Sequence, residues 1–242
     1  MQGICIQMKS LIVNNVSKSF QSSKALKNVS FEIKEGECVV IGGENGSGKT
    51  LLMNIIAGLE EADSGEVKTF SKPGLVFQEA ETQILGETVY EDIYFGPKNL
   101  VWKKDKIAQT VQRVLETTGL SEKVDFPARF LSGGEKRRLA VACMLAMDLS
   151  IIIFDEPYAN LDYGGVKQVN ALIKELKSQG KTIIILTHEI EKCLALADRF
   201  IVLFRGEKVF DGPARDGLSQ NLEEWNIRNP LASYKCFEDL VW

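Results

Sequence analysis

The chain has 242 residues, 45% of them apolar and 26% charged, and its 29 Lys+Arg against 33 Asp+Glu give a net charge of −4. That is enough for one large domain or two small ones, and it excludes a strongly basic nucleic-acid binder and a grossly disordered chain. The longest uncharged apolar run, residues 139–147, falls far short of the roughly 18 residues that would cross a bilayer. The first ten residues lack the apolar core of a secretory signal. Cys5, Cys38, Cys143, Cys193 and Cys236 are scattered without a C-x-x-C pair and read as reduced, mostly buried thiols of a cytosolic protein. The single histidine, His188, excludes a His-rich metal site, so any histidine chemistry passes through it.

Short β-rich segments come first. Residues 11–16, 29–33 and 38–41 alternate or cluster apolar side chains, the last closed by Gly42 and Gly43. Residues 51–57 then read as a buried helix stopped by Gly58, and 75–77 as a short strand. In the middle, Ile107, Val111, Val114 and Leu115 share one helical face that ends at Gly119. Pro127 bars an unbroken helix, and 134–147 is helical again. Residues 151–154 are a β-branched run of the kind a buried parallel strand carries. A helix follows with Val166, Val169, Leu172, Ile173 and Leu176 inward, stopped by Gly180. Residues 182–186 repeat the buried strand, 189–197 read as a short helix, and 200–204 with 208–210 as a final hairpin. Strands alternating with helices predict one largely parallel α/β sheet, interrupted by a helical stretch at 87–147.

Gly43-Glu44-Asn45-Gly46-Ser47-Gly48-Lys49-Thr50 fits the phosphate-loop pattern G-x-x-x-x-G-K-[ST], with a strand before it and a helix after it. Glycines let backbone N–H groups turn inward around phosphate oxygens, and the helix start adds its positive end. Lys49 is expected to bridge the β- and γ-phosphates and Thr50 to offer its hydroxyl to Mg²⁺. This chain is expected to bind a nucleoside triphosphate. The strand at 151–154 ends in Asp155 and Glu156. Alone, Asp-Glu-Pro also fits a turn cap. Beside a phosphate loop, Asp155 is expected to hold Mg²⁺ and Glu156 to polarise the attacking water.

Leu131-Ser132-Gly133-Gly134-Glu135-Lys136-Arg137-Arg138 resembles the signature motif of ATP-binding cassette (ABC) ATPases, lying after a helical insert and before the Asp-Glu strand. The resemblance covers about residues 9–212. It implies an α/β, ABC-type P-loop ATPase core with an antiparallel β subdomain and a helical signature-motif insert. The core would comprise 9–86 and 148–212, the insert 87–147, and a short C-terminal tail 213–242. The family's site then falls on residues 43–50 with Leu51 as the nucleotide cradle and Phe20 as the adenine-stacking aromatic. Gln78 is placed like the Q-loop glutamine near metal and attacking water, Asp162 closes the D-loop, and His188 is placed like the switch histidine on the γ-phosphate. Ser132, Gly133 and Gly134 form a second anion-binding helix start, which in the family caps the γ-phosphate held by an opposite subunit. ATP, Mg²⁺ and a second cassette, identical or related, are therefore implied. Arg137 and Arg138 read as solvated helix charge.

A narrower resemblance follows Gln78. Gln83, Asp92, Phe95-Gly96-Pro97 and Asn99-Leu100 look like the energy-coupling factor group, motors for vitamin and metal-ion uptake. That implies an ATPase peripheral to the cytoplasmic face of the cell membrane, coupled to a membrane subunit through the region after Gln78. Ile84, Leu85 and Tyr90 are expected to make that contact, while Ile93 and Phe95 are expected to pack the insert on the core. Leu51 stands where many cassettes have a second hydroxyl residue, Phe20 replaces the commoner tyrosine, Glu135 a frequent glutamine and Glu189 an aspartate. The tail is short for the group, and its Trp225, Phe237, Leu240, Val241 and Trp242 fit either the chain's own core or a partner. A conventional ABC transporter motor and a soluble ABC ATPase remain alternative readings. The spacer between Gln78 and Leu131 is too short for a repair-type coiled coil, and one cassette differs from the paired cassettes of ribosome-linked types.

Overall fold

The computed structural model describes residues 8–21 and 23–231. Two antiparallel strands open it, β1 (Lys9–Phe20) and β2 (Ser23–Lys34), followed by β3 (Cys38–Gly42), α1 (Lys49–Ile56), β4 (Ser64–Thr69) and β5 (Pro73–Val76). The insert carries α2 (Val89–Asn99), α3 (Lys104–Thr118) and α4 (Gly133–Ala146). Then come β6 (Ile151–Asp155), α5 (Tyr163–Ser178), β7 (Thr182–Thr187), the hairpin β8 (Arg199–Phe204) and β9 (Glu207–Pro213), and the short α6 (Ala214–Gly217).

Two sheets result. β2-β1-β4 is antiparallel, and β5-β6-β7-β3-β8-β9 is parallel except for β9. Strands β3, β6 and β7 are buried along their whole length, because both faces of a parallel sheet are covered. Alternation decides which layer each side chain joins. Val39, Ile41, Ile151, Ile153, Ile184 and Leu186 pack with Leu52 and Met53 of α1 and with Leu11, Val13 and Phe31 of the small sheet. Cys38, Val40, Ile152, Phe154, Ile183 and Ile185 pack on the other face with the insert and α5.

Two departures from the sequence reading have local causes. β4 went unpredicted because Ser64-Gly65-Glu66-Val67-Lys68-Thr69 is almost wholly exposed and offers one part-buried apolar residue. The expected helix at 189–197 is instead two 3-10 turns, Ile190–Lys192 and Leu194–Leu196. Asn170 Nδ2 donates to the Lys192 carbonyl at 2.7 Å, and Tyr158 donates to Asn170 Oδ1 at 2.7 Å, so that carbonyl is held by a side chain. Of the tail residues, Trp225 packs on the core beside Phe210, with ring centroids 6.3 Å apart; Phe237, Leu240, Val241 and Trp242 lie outside the described residues. Cys38, Cys143 and Cys193 are free thiols, and burial pushes Cys38 up to about 12.

Candidate nucleotide site

Strand register brings the chemistry to one edge. Gly42 of β3 lies opposite Thr187 of β7, and Asp155 of β6 opposite Leu186. The loop after β3, the acids ending β6 and His188 after β7 therefore share the carboxyl edge, where α/β sheets place ligands.

The loop needs glycine at two points. Gly43 has φ +153 and a Cβ there would stand 2.2 Å from the Leu203 carbonyl oxygen; Gly48 has φ +101, with the Ala25 carbonyl at 2.9 Å. The first helical hydrogen bond of α1 runs from Leu52 N–H to the Gly48 carbonyl at 2.9 Å. The amides of Lys49, Thr50 and Leu51 therefore have no helical acceptor and form an anion-binding face. Lys49 is buried, and its Nζ donates to the carbonyls of Gly43 and Glu44 at 2.8 and 3.0 Å. Burial lowers its pKa against the opposing pull of Glu156, Asp155 and Glu44. Ser47 Oγ is buried without a hydrogen-bond partner, a polar atom that a phosphate oxygen would satisfy.

Thr50 Oγ1 lies 3.4 Å from Asp155 Oδ1. Burial, then the charge of Glu156, push Asp155 up to about 6, against Thr50 and Lys49. A hydroxyl and a carboxylate are hard donors that fit Mg²⁺, which takes one or two protein oxygens and completes its shell with phosphate and water. Among the described residues there is no group of three or more His, Cys, Asp and Glu that could hold a metal ion.

Glu156 is buried and its backbone is in the left-handed region, φ +44, a strained conformation of the kind that concentrates at functional sites. Its Oε2 accepts from Thr187 Oγ1 at 3.0 Å, its Oε1 lies 2.9 Å from His188 Nδ1, and Lys49 Nζ stands 4.0 Å from Oε1. The His188 side chain is 44% exposed, so it links a buried carboxylate to the open edge.

The other predicted residues lie around this centre. Phe20 is half exposed at the end of β1, with Lys18 Nζ 5.6 Å from its ring centroid. Leu51 turns its side chain into the core, which leaves its amide for a ligand. Gln78 is exposed just beyond β5, whose Val76 lies opposite Phe154, so it emerges beside the end of β6. Ser132 caps α4: its Oγ accepts from Glu135 N–H at 3.4 Å, and Glu135 Oε2 accepts from the Ser132 amide and hydroxyl at 2.9 Å each. Lys123, first, and Ser132 hold the Glu135 carboxyl down at about 2. Asp162 caps α5, accepting from Gly165 N–H at 2.7 Å. Among the described residues no hydrogen bond or ion pair joins Ser132, Gly133, Gly134 or Asp162 to the phosphate loop. Instead Gly133 shares a surface cleft of about 380 Å³ with Gln78, Ala159 and Asn160.

The region after Gln78 forms a groove of about 480 Å³, lined by Ile84, Leu85, Phe95, Leu100, Met144 and Met147 among others. Leu85 is exposed on it, while Ile84 is part-buried and also packs against the core. Ile93 is fully buried, but Phe95 is 47% exposed and lines the groove instead of packing the insert. Its position two residues from Ile93 puts it on a different side of α2. Tyr90 stacks on Tyr94 at 5.7 Å and is not among the lining residues.

The sequence profile of the ABC transporter family matches residues 26–159, more than half of the chain. An energy-coupling factor transporter ATP-binding protein, EcfA1, from Fusobacterium nucleatum is 41% identical over 241 residues, covering 94% of this chain and 84% of its own. EcfA2 from Methanospirillum hungatei is 38% identical over 213 residues, covering 82% of this chain, which spans about half (54%) of that relative. Among solved structures, cbiO1 from Clostridium perfringens, part of the ABC transporter complex cbiONQ, superposes with a TM-score of 0.82 at 30% identity, covering 93% of this chain and 97% of its own. The chain belongs to the ABC transporter family, in its energy-coupling factor ATP-binding group.

Three residues of the cassette do more than the sequence alone assigns them. Thr187 is fully buried against Glu156; the expected strand at 182–186 stops one residue short of it, whereas β7 includes it. Gln83 accepts from Phe77 N–H at 2.9 Å and donates to the Leu75 carbonyl at 2.7 Å. Its amide thus pairs the free edge of β5 as a neighbouring strand would. Arg137 overturns the expectation of solvated charge: it is 7% exposed, and its Nη2 donates to the carbonyls of Gln78 and Ala159 at 3.2 and 2.9 Å. Its position on α4 points it at the Q- and D-loops, whereas Arg138, next along, reaches Gln168 of α5.

Proposed function

We propose that the chain is the ATP-hydrolysing motor of a membrane transporter of energy-coupling factor type, serving uptake of a vitamin or metal ion. It works as a head-to-tail pair of cassettes, peripheral to the cytoplasmic face of the membrane. The observation that carries this is the convergence of the phosphate loop, Asp155, Glu156 and His188 on one sheet edge. The division into a core at 9–86 and 148–212, an insert at 87–147 and a tail at 213–242 belongs to the same reading.

Residues 43–51 hold the triphosphate through amides, Lys49 and Ser47, and Phe20 stacks on adenine. Thr50 and Asp155 hold Mg²⁺ with Gln78 beside them; the ion, when bound, screens phosphate charge. Glu156 accepts a proton from the attacking water, and His188 keeps that carboxylate oriented and reaches the γ-phosphate. Ser132, Gly133 and Gly134 face outward and serve the nucleotide of the second cassette; the Ser132 hydroxyl leaves Glu135 Oε2 to do so. With Mg–ATP at saturation, His188→Ala is expected to lower kcat about tenfold or more with ATP affinity little changed. Intact turnover in that variant would remove the switch role.

The groove beside α2 is the seat for a helix of the membrane subunit. Among the described residues no helix is long and apolar enough to cross a membrane, and an apolar groove rimmed by exposed Leu85, Phe95 and Leu100 suits an amphipathic helix. The double variant Leu85→Asp/Phe95→Asp is expected to keep ATP binding and lose co-purification with membranes from its native cell. Retention in the membrane fraction at wild-type level would sink this assignment.

A further inference from the structure

Arg137 is a buried guanidinium with no carboxylate partner among the described residues. Nη2 bridges the carbonyls of Gln78 and Ala159, and Nε is buried without any partner. Burying a cation on two carbonyls alone is unfavourable, and burial lowers the pKa of this arginine. The placement nevertheless sits where three segments meet. One is the first turns of α4, whose cap is Ser132. The second is the segment after β5 that holds Gln78. The third is the bend after β6, where Glu156 and Asn160 flank Ala159 with φ +44 and +58. Lys136, one residue earlier, pairs with Glu81 at 2.9 Å and ties α4 to the same side.

Helix α4 also reaches the groove. Ala140, Cys143, Met144 and Met147, at and beyond its second half, line it. The helix is thus a rod with the signature residues at its start and the groove floor at its end. Arg137 joins that rod to the two loops that leave the nucleotide edge of the sheet. Both carbonyls bond the one Nη2 amino group, whose two N–H bonds are fixed in the guanidinium plane, whereas a lysine ammonium turns freely on its flexible stem.

We infer that Arg137 is a positioning residue that couples the Gln78 and Ala159 loops to α4, so that nucleotide binding is transmitted to the signature turn and the membrane-subunit groove through this junction. The inference rests on the ATP-motor reading above. Both loops approach the guanidinium through backbone carbonyls, so the coupling is independent of their side chains and acts on backbone position.

Hydrogen–deuterium exchange of the purified full chain, with and without Mg–ATP and at a dilution where sedimentation shows a monomer, separates this coupling from contact with a second cassette. In the wild type, Mg–ATP is expected to slow exchange severalfold at 43–50 and also at 77–82, 132–137 and 157–162. In Arg137→Met, protection at 43–50 stays while the response of the other three segments is lost. Arg137→Lys, which keeps the charge and folds if the methionine variant does not, gives an intermediate response. Wild-type responses at all four segments in both folded variants overturn the coupling. Absence of protection at 43–50 in the wild type itself would overturn the nucleotide-binding reading, and the inference with it. Loss of protection at 43–50 in a folded variant would show that Arg137 supports the phosphate loop rather than coupling it, and so also overturns the inference.

Discussion

Glu156→Gln is expected to bind Mg–ATP within a few-fold of wild type while kcat falls about a thousandfold, in the range that removal of a general base produces. The geometry separates the two effects. On the proposed reading, binding rests on the loop amides, Lys49 and Ser47; Glu156 lies 4.0 Å from Lys49, a charge contact without a hydrogen bond, and Lys49 keeps its bonds to the Gly43 and Glu44 carbonyls. Catalysis, on the same reading, rests on an oxygen able to take a proton. One carboxylate oxygen faces His188 at 2.9 Å and the other accepts from buried Thr187 at 3.0 Å. A glutamine fills the same space and keeps one acceptor, so the fold and the strained backbone at φ +44 survive. Its amide cannot take the proton. Fluorescent-nucleotide titration beside steady-state phosphate release gives both numbers, and wild-type-like hydrolysis would remove Glu156 from the role. A parallel loss of affinity would instead mean that the lost charge had let Lys49 settle elsewhere, away from Gly43 and Glu44.

Features whose cause is local were legible in the sequence. The phosphate loop is a run of eight residues whose glycines answer to backbone sterics, and β3, β6 and β7 announce themselves as apolar runs because both faces are buried. Features whose cause is tertiary were not. Arg137 sits in the charged run Glu135-Lys136-Arg137-Arg138, and nothing in that run distinguishes the one side chain that turns beneath two loops. Gln83 stands out in the sequence only through the energy-coupling factor resemblance, and its task shows once β5 is known to be a sheet edge needing a partner. Phe95 sits two residues from fully buried Ile93, and helical periodicity alone did not say whether its side faces core or groove. Ser132 shows the converse. Its cap was implicit in the Ser-x-x-Glu spacing, a capping box, yet the resemblance drew attention to phosphate and away from Glu135.

Asp155→Asn is expected to raise the melting temperature of the nucleotide-free chain near pH 7.5 while lowering Mg-dependent turnover by about a hundredfold or more. The cause is one carboxyl held in an uncomfortable place. Burial, then Glu156, raise it from 3.8 to about 6, and the Thr50 hydroxyl and Lys49 offset only part of that. A group whose folded pKa is raised binds its proton more tightly in the folded chain, so stability falls as pH rises from about 4 through about 6 and stays lower above. The ionised form therefore costs the fold on the order of 1–3 kcal/mol at neutral pH. Asparagine keeps the shape and an acceptor for Thr50 without the charge. Its stabilising effect should be full above pH 7 and vanish below about pH 4, where the wild-type carboxyl is protonated in both states. On the proposed reading the same charge holds Mg²⁺, so magnesium with nucleotide should stabilise the wild type more than the variant and narrow the gap. Thermal melts across pH 4–8, with and without Mg–ATP, test the whole argument. An asparagine variant that melts no higher than wild type at pH 7.5 would mean that Lys49 already neutralises Asp155, and that the site is built without stored electrostatic strain.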